Sequence, residues 1–110
     1  MARLNGFRER LSEERVVPVE TDRGPYVVRL VEGAPVVHYA LCPHRGGPLE
    51  DAYEIERLLV CAWHRSAFRI ADGRAVYGPA CADLPVVPAR FDGPDLVVDW
   101  TEGPADATGG

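Results

Sequence analysis

The sequence predicts an all-β domain, a sandwich or barrel, on three observations. Apolar residues gather in short β-branched runs rather than in long helical stripes. Ten prolines and eleven glycines punctuate those runs with turns. At 110 residues and 46% apolar content, the chain suits one domain with a modest core.

The elements follow in order. Leu4, Phe7 and Leu11 stand at helix-like spacing within residues 4–15, which fits one short helix or an irregular arm. From Arg15 the pattern turns to strands. Residues 16–21 are β-branched, and Pro18 places this strand at a sheet edge. Residues 22–25 read as a turn. Residues 26–31 and 35–41 flank Glu32-Gly33-Ala34, the signature of a hairpin. Its second strand runs into Cys42. Residues 57–60 run likewise into Cys61, so two cysteine segments begin where strands end. Residues 68–70 and 75–77 form a hairpin across Asp72-Gly73. Residues 84–91 and 96–100 are the last two strands, joined across residues 92–95. A small, polar tail from Thr101 onward is expected to fray. No internal repeat or interdomain linker interrupts this pattern. The expectation is a single domain over residues 1–102, with a flexible tail over 103–110.

Formal net charge is −5, and every basic residue is arginine. An acidic balance argues against a nucleic-acid partner, which favours a basic face. It is compatible with docking on a basic patch of a redox protein. No apolar run approaches the roughly 20 residues of a membrane helix. No signal-like stretch opens the chain, so the cytoplasm is the expected compartment. Of three cysteines, only Cys81 is left if Cys42 and Cys61 bind metal. That fits a reducing compartment.

Chemistry concentrates in two segments. One is Cys42-Pro43-His44-Arg45-Gly46-Gly47-Pro48-Leu49 and the other Cys61-Ala62-Trp63-His64. The pattern is C-x-H, sixteen residues, then C-x-x-H. Two thiolates and two imidazoles suit an iron-sulfur cluster and a single zinc equally by ligand softness. The order favours iron-sulfur, because each segment offers one sulfur and one nitrogen. Two loops can then share two metals. The glycines and prolines of both loops, which let backbone N–H groups approach cluster sulfurs, are left unexplained by zinc.

These segments resemble the two cluster loops of Rieske-type ferredoxins. Cys42 to Leu49 is similar to the whole first loop. Cys61 to Phe68, C-A-W-H-R-S-A-F, resembles C-P-W-H-G-S-x-F with two departures, Ala62 and Arg65. Gly78-Pro79-Ala80 resembles the proline loop that covers the cluster. The likeness runs from about Tyr26 to Trp100.

The resemblance implies an antiparallel β sandwich or barrel with an inserted cluster-binding subdomain, at about residues 41–82. It implies one [2Fe-2S] cluster, with Cys42 and Cys61 on the inner iron and His44 and His64 on the outer one. Arg45, Gly46, Trp63, Ser66 and Pro79 then surround the cluster. Two imidazoles in place of two thiolates remove negative charge and raise the potential into a range of about −150 to +300 mV. Respiratory members carry an extra cysteine in each loop; Gly47 and Trp63 stand there instead. Such members also donate a serine and a tyrosine hydroxyl to the cluster. Ser66 keeps the first and Phe68 lacks the second, so the lower part of the range is expected. Ala62 costs loop rigidity. Arg65 replaces a glycine and is strained if its φ is positive.

The expected function is electron transfer. By resemblance, a flavin reductase donates one electron and a terminal oxygenase accepts it. An alternative is a cluster-bearing small subunit of a nitrite-reductase-like complex, and a third reading is a redox or iron sensor. No catalytic residue is expected. The chain has no glycine-rich dinucleotide motif for oxidising NAD(P)H. Once the cluster takes its ligands, only His38 is left, too few for an oxygen-activating iron site. The free protein is expected to be a monomer without membrane or nucleic-acid partners. His38 is expected to be an ordinary, partly exposed histidine, and Cys81 a small semi-buried residue.

Overall fold

The computed structural model describes residues 2–43, 48–62, 66–77 and 82–100. Among these, the chain forms three antiparallel sheets and one α-helix. The strands are β1 (Ala2–Leu4), β2 (Val16–Thr21), β3 (Gly24–Val31), β4 (Ala34–Tyr39), β5 (Tyr53–Ile55), β6 (Leu58–Val60), β7 (Ala67–Arg69), β8 (Ala75–Tyr77), β9 (Val86–Val87), β10 (Ala89–Asp92) and β11 (Asp95–Val98). Helix α1 spans Phe7–Glu14, and a 3₁₀ turn spans Leu49–Asp51. One sheet has the order β1-β11-β10, the second β2-β3-β4-β9 and the third β5-β6-β7-β8. The third sheet is inserted between β4 and β9, which pair with each other at Val37↔Val87 and His38↔Val86.

Period-2 alternation explains the layers. On β3, Tyr26 and Val28 face a first core with Phe7, Leu11, Val17, Val37, Val87, Leu96 and Val98. Phe7 and Leu11 are i and i+4 on α1, so one helix face enters this core. Val27 and Arg29 alternate to the opposite face of β3 and are also buried. Strand β3 is therefore covered on both sides. A second core lies within the inserted part: Cys42, Leu49, Ala52, Leu59, Cys61, Phe68 and Leu84.

The expected elements are largely present, with four differences. Leu4 belongs to β1, which pairs with β11, rather than to the helix. The expected turn over 22–25 is shorter, since Gly24 and Pro25 already pair in β3. The expected strand 84–91 is two strands broken at Pro88; β9 joins β4 and β10 joins β11. Proline has no N–H to donate to a ladder, and the Pro88 carbonyl instead accepts from the Asp99 N–H at 2.8 Å. Strand β5 was not expected at all. Its connection to β6 runs through Glu56 and Arg57, at φ 48° and 69°. Two consecutive left-handed residues make a tight hairpin turn, but neither is the Gly, Asn or Asp that announces one. Pro18 does lie on an edge strand, β2. The tail from Thr101 lies outside the described residues. No helix among the described residues is long and apolar enough to cross a membrane.

Gly73 fixes the return from the third sheet. Its φ is +79°, and a Cβ there would stand 1.8 Å from the Leu84 carbonyl oxygen. The Gly73 carbonyl accepts from the Leu84 N–H at 2.7 Å, and the Gly73 N–H donates to Arg69 O at 2.6 Å. Leu84 anchors the second core, so backbone must move to admit a methyl group. Gly73→Ala is expected to cost about 2–3 kcal/mol, from left-handed strain plus a lost hydrogen bond. Thermal unfolding of the purified variant checks this, with a fall in Tm of about 10 °C expected.

Candidate metal centre

Each cysteine segment is closed at its neck. Leu41 bridges Pro48, and the Leu49 N–H donates to Ala40 O at 2.7 Å, which pins the two ends of the first segment together. The second segment is the connection between β6 and β7. Val60 faces Ala67 across the ladder, and the Cys61 N–H donates to Ser66 O at 2.9 Å. Strand ends that hold both loops limit reorganisation of whatever they bind.

The necks bring the two cysteines into one place. Cys42 and Cys61 are both buried and both belong to the second core. Ser66 is fully buried, and its Oγ has no hydrogen-bond partner among the described residues. A buried hydroxyl without an acceptor costs about 1–3 kcal/mol. Two co-buried sulfurs and a hydroxyl lacking an acceptor among the described residues are a fitting surround for a sulfur-rich cluster. Phe68 is buried among the same residues and contributes no hydroxyl. His44, Arg45, Gly46, Trp63, His64, Arg65, Pro79 and Cys81 lie outside the described residues.

His38 corrects an expectation. It is 1% exposed, not partly exposed. Alternation on β4 turns Val37 to the first core and His38 to the opposite face, beside Arg29. Arg29 Nε donates to His38 Nε2 at 3.0 Å, so Nδ1 carries the proton and donates to Tyr39 O at 2.7 Å. Burial, and then the Arg29 charge, lower the His38 pKa to about 3. The imidazole is a neutral structural acceptor.

The sign of its pH effect follows. A group held neutral when folded but protonated when unfolded takes stability away as pH falls. This contribution is complete above the ordinary histidine value and is lost on acidification from about 6.5 toward about 3. Its slope approaches about 1.4 kcal/mol per pH unit. Denaturant unfolding of wild type and His38→Asn between pH 7 and pH 5 checks it: the wild type should lose more stability over that interval.

Arg29 is the residue that sequence reading missed. Its side chain is 1% exposed. Nη2 donates to Leu49 O at 2.7 Å, and Nη1 to Glu54 Oε2 at 2.8 Å and to Ala52 O at 3.4 Å. Arg29 thus ties β3, an inner strand of the base formed by the first two sheets, to the segment that follows the first cysteine loop. One signal was available: a lone arginine inside the run Tyr26-Val27-Val28-Arg29-Leu30-Val31.

Comparison with known proteins agrees with this geometry. Residues 6–88 match the family model of the Rieske [2Fe-2S] domain. The fold is similar to a ferredoxin of Sphingomonas yanoikuyae B1, at 26% identity and TM-score 0.69, over 77% of this chain and 84% of that one. It is similar to a chain in the complex of reduced oxygenase and oxidized ferredoxin of carbazole 1,9a-dioxygenase, at 19% identity and TM-score 0.68, over 76% and 78%. A cyanobacterial plasma membrane Rieske protein from Synechocystis PCC 6803 is similar at 21% identity and TM-score 0.66, over 90% and 99%. A match to the family model over most of the chain carries a [2Fe-2S] cluster with it. The family match spans both buried cysteines, Cys42 and Cys61, and the protein belongs to the Rieske [2Fe-2S] domain family.

Proposed function

We propose that this protein carries single electrons from a flavin reductase to a terminal oxygenase. The observation that carries the reading is the co-burial of Cys42 and Cys61 in one apolar core, at the necks of two pinned loops. Cys42 and Cys61 hold the inner iron of the cluster, and His44 and His64 hold the outer one. When bound, the cluster supplies one-electron chemistry, and two neutral imidazoles in its ligand set favour a higher potential than four thiolates do.

The chain's own residues then have three tasks. The apolar side chains of Leu49, Leu59, Phe68 and Leu84 exclude water from the sulfur side. The Ser66 hydroxyl offers a hydrogen bond to a cluster sulfur, which favours the reduced state. Phe68 offers none, so the potential lies low in the family range. The fold is also that of a ferredoxin and of a chain in an oxygenase–ferredoxin complex. Those likenesses support an oxygenase system as the destination.

Low-temperature EPR after anaerobic reduction, with iron and zinc counted on the same sample, tests the centre. A rhombic signal and about two irons per chain are expected. One zinc without iron would overturn it. Stopped-flow oxidation of the reduced protein by a terminal oxygenase tests the direction. Reoxidation no faster than in buffer, across a panel of terminal oxygenases, would leave a fixed subunit or a sensor as the better reading.

A further inference from the structure

Arg29 is a buried cation, two of whose bonding partners belong to the core of the two cysteines. It bonds the carbonyls of Leu49 and Ala52, and both residues pack in the core that contains Cys42 and Cys61. Its acceptor His38 is neutral and cancels none of its charge. Among the described residues, Glu54 is the carboxylate that pairs with it, at 2.8 Å. The two charges are not equally shielded. The Arg29 side chain is 1% exposed, whereas that of Glu54 is 25% exposed and lines a cleft of about 380 Å³. Water therefore screens the carboxylate more than the guanidinium. A net positive field is left in the core, where added negative charge is favoured.

We infer that Arg29 and Glu54 form a charge pair that sets the cluster's reduction potential, with Arg29 favouring the reduced form and Glu54 opposing it. The inference deepens the electron-carrier reading and rests on it. Reduction adds one electron to the cluster, with no bond formed or broken in the protein. The donor is the reductase in the proposed function and an electrode-poised mediator in the test. The pair acts on the equilibrium through its field, so Arg29 and Glu54 are positioning and tuning residues rather than catalytic ones.

The test is a mediated redox titration of holoprotein, followed by circular dichroism, with iron counted in every sample. Glu54→Gln keeps the shape and leaves the Arg29 carbonyl bonds in place. It is expected to raise the ratio of reduced to oxidised protein at fixed applied potential about threefold, which is about 28 mV for one electron, because water screens part of the Glu54 charge. Arg29→Gln is expected to shift it the other way. The double variant, neutral at both positions, returns toward wild type. Arg29→Lys keeps the charge but not the fork, so it should lose stability while holding its potential. A purely structural strut predicts none of these opposed shifts. A Glu54→Gln protein with full iron content and the wild-type potential would overturn the inference, and it would do so even if Arg29→Gln failed to fold. That result would leave the electron-carrier reading standing. A wild type with no reversible one-electron centre would overturn both.

Discussion

Cys61→Ala should abolish the centre outright. Iron is expected to fall from about two per chain to background, and the rhombic EPR signal should vanish with it. The reason lies in placement as much as in ligand type. Cys61 follows β6 directly and is fully buried, and its N–H is held by Ser66 O. Its neighbours Leu49, Leu59, Phe68 and Leu84 in the same core offer no replacement ligand. Cluster binding and folding are coupled in such a site, since the ligands converge only in the folded chain. The variant should therefore also unfold at a lower temperature than the holoprotein. Cys81→Ala is the matched control, for Cys81 belongs to neither loop motif. It should retain wild-type iron and spectrum. Full iron in Cys61→Ala, or equal loss in Cys81→Ala, would move the centre elsewhere.

How much of this was legible in the sequence depended on what carried the signal. Cys42, His44, Cys61 and His64 stood out at once, because ligand chemistry demands those residue types at close spacing; of the four, Cys42 and Cys61 lie among the described residues and share a buried core. The hairpin of β3 and β4 was equally plain, since β-branched runs flanked a glycine-bearing turn. Elements held by pairing rather than by composition were not. Strand β1 is three residues, and it is extended because β11 offers it a ladder. Strand β5 precedes the turn at Glu56 and Arg57, whose left-handed backbone has no residue to advertise it. His38 was misjudged for a related reason. Alternation shows that His38 and Val37 face opposite sides, but not that both sides are covered. The second cover comes from the inserted part, and only tertiary structure shows it. Arg29 hides in the same way: apart from His38, its partners lie at residues 49–54, beyond any local pattern.

Arg29→Met is expected to be the most damaging single substitution outside the cluster ligands. Methionine fills much of the volume, so lost packing is the smaller effect. The larger one is loss of donors. Leu49 O and His38 Nε2 lose a buried partner, and Ala52 O loses a longer one. Each buried group left unsatisfied costs about 1–3 kcal/mol. Glu54 adds little to this cost, because it is partly exposed and can turn to water. Two well-bonded acceptors and one weaker one then give about 3–5 kcal/mol, a large share of the 5–15 kcal/mol typical of a folded domain. The damage is also directional. Arg29 joins β3 of the base to the turn at Leu49 and to Glu54 on β5, so its loss frees the inserted part from the base. The first loop, whose neck depends on Leu49 N–H reaching Ala40 O, should loosen first. Hydrogen exchange should show this as faster exchange at Leu49 and Ala52, while Val28 and Val37 in the first core keep their protection. Thermal unfolding should fall by more than about 10 °C. A loss under about 1 kcal/mol would mean that water replaces the guanidinium at little cost.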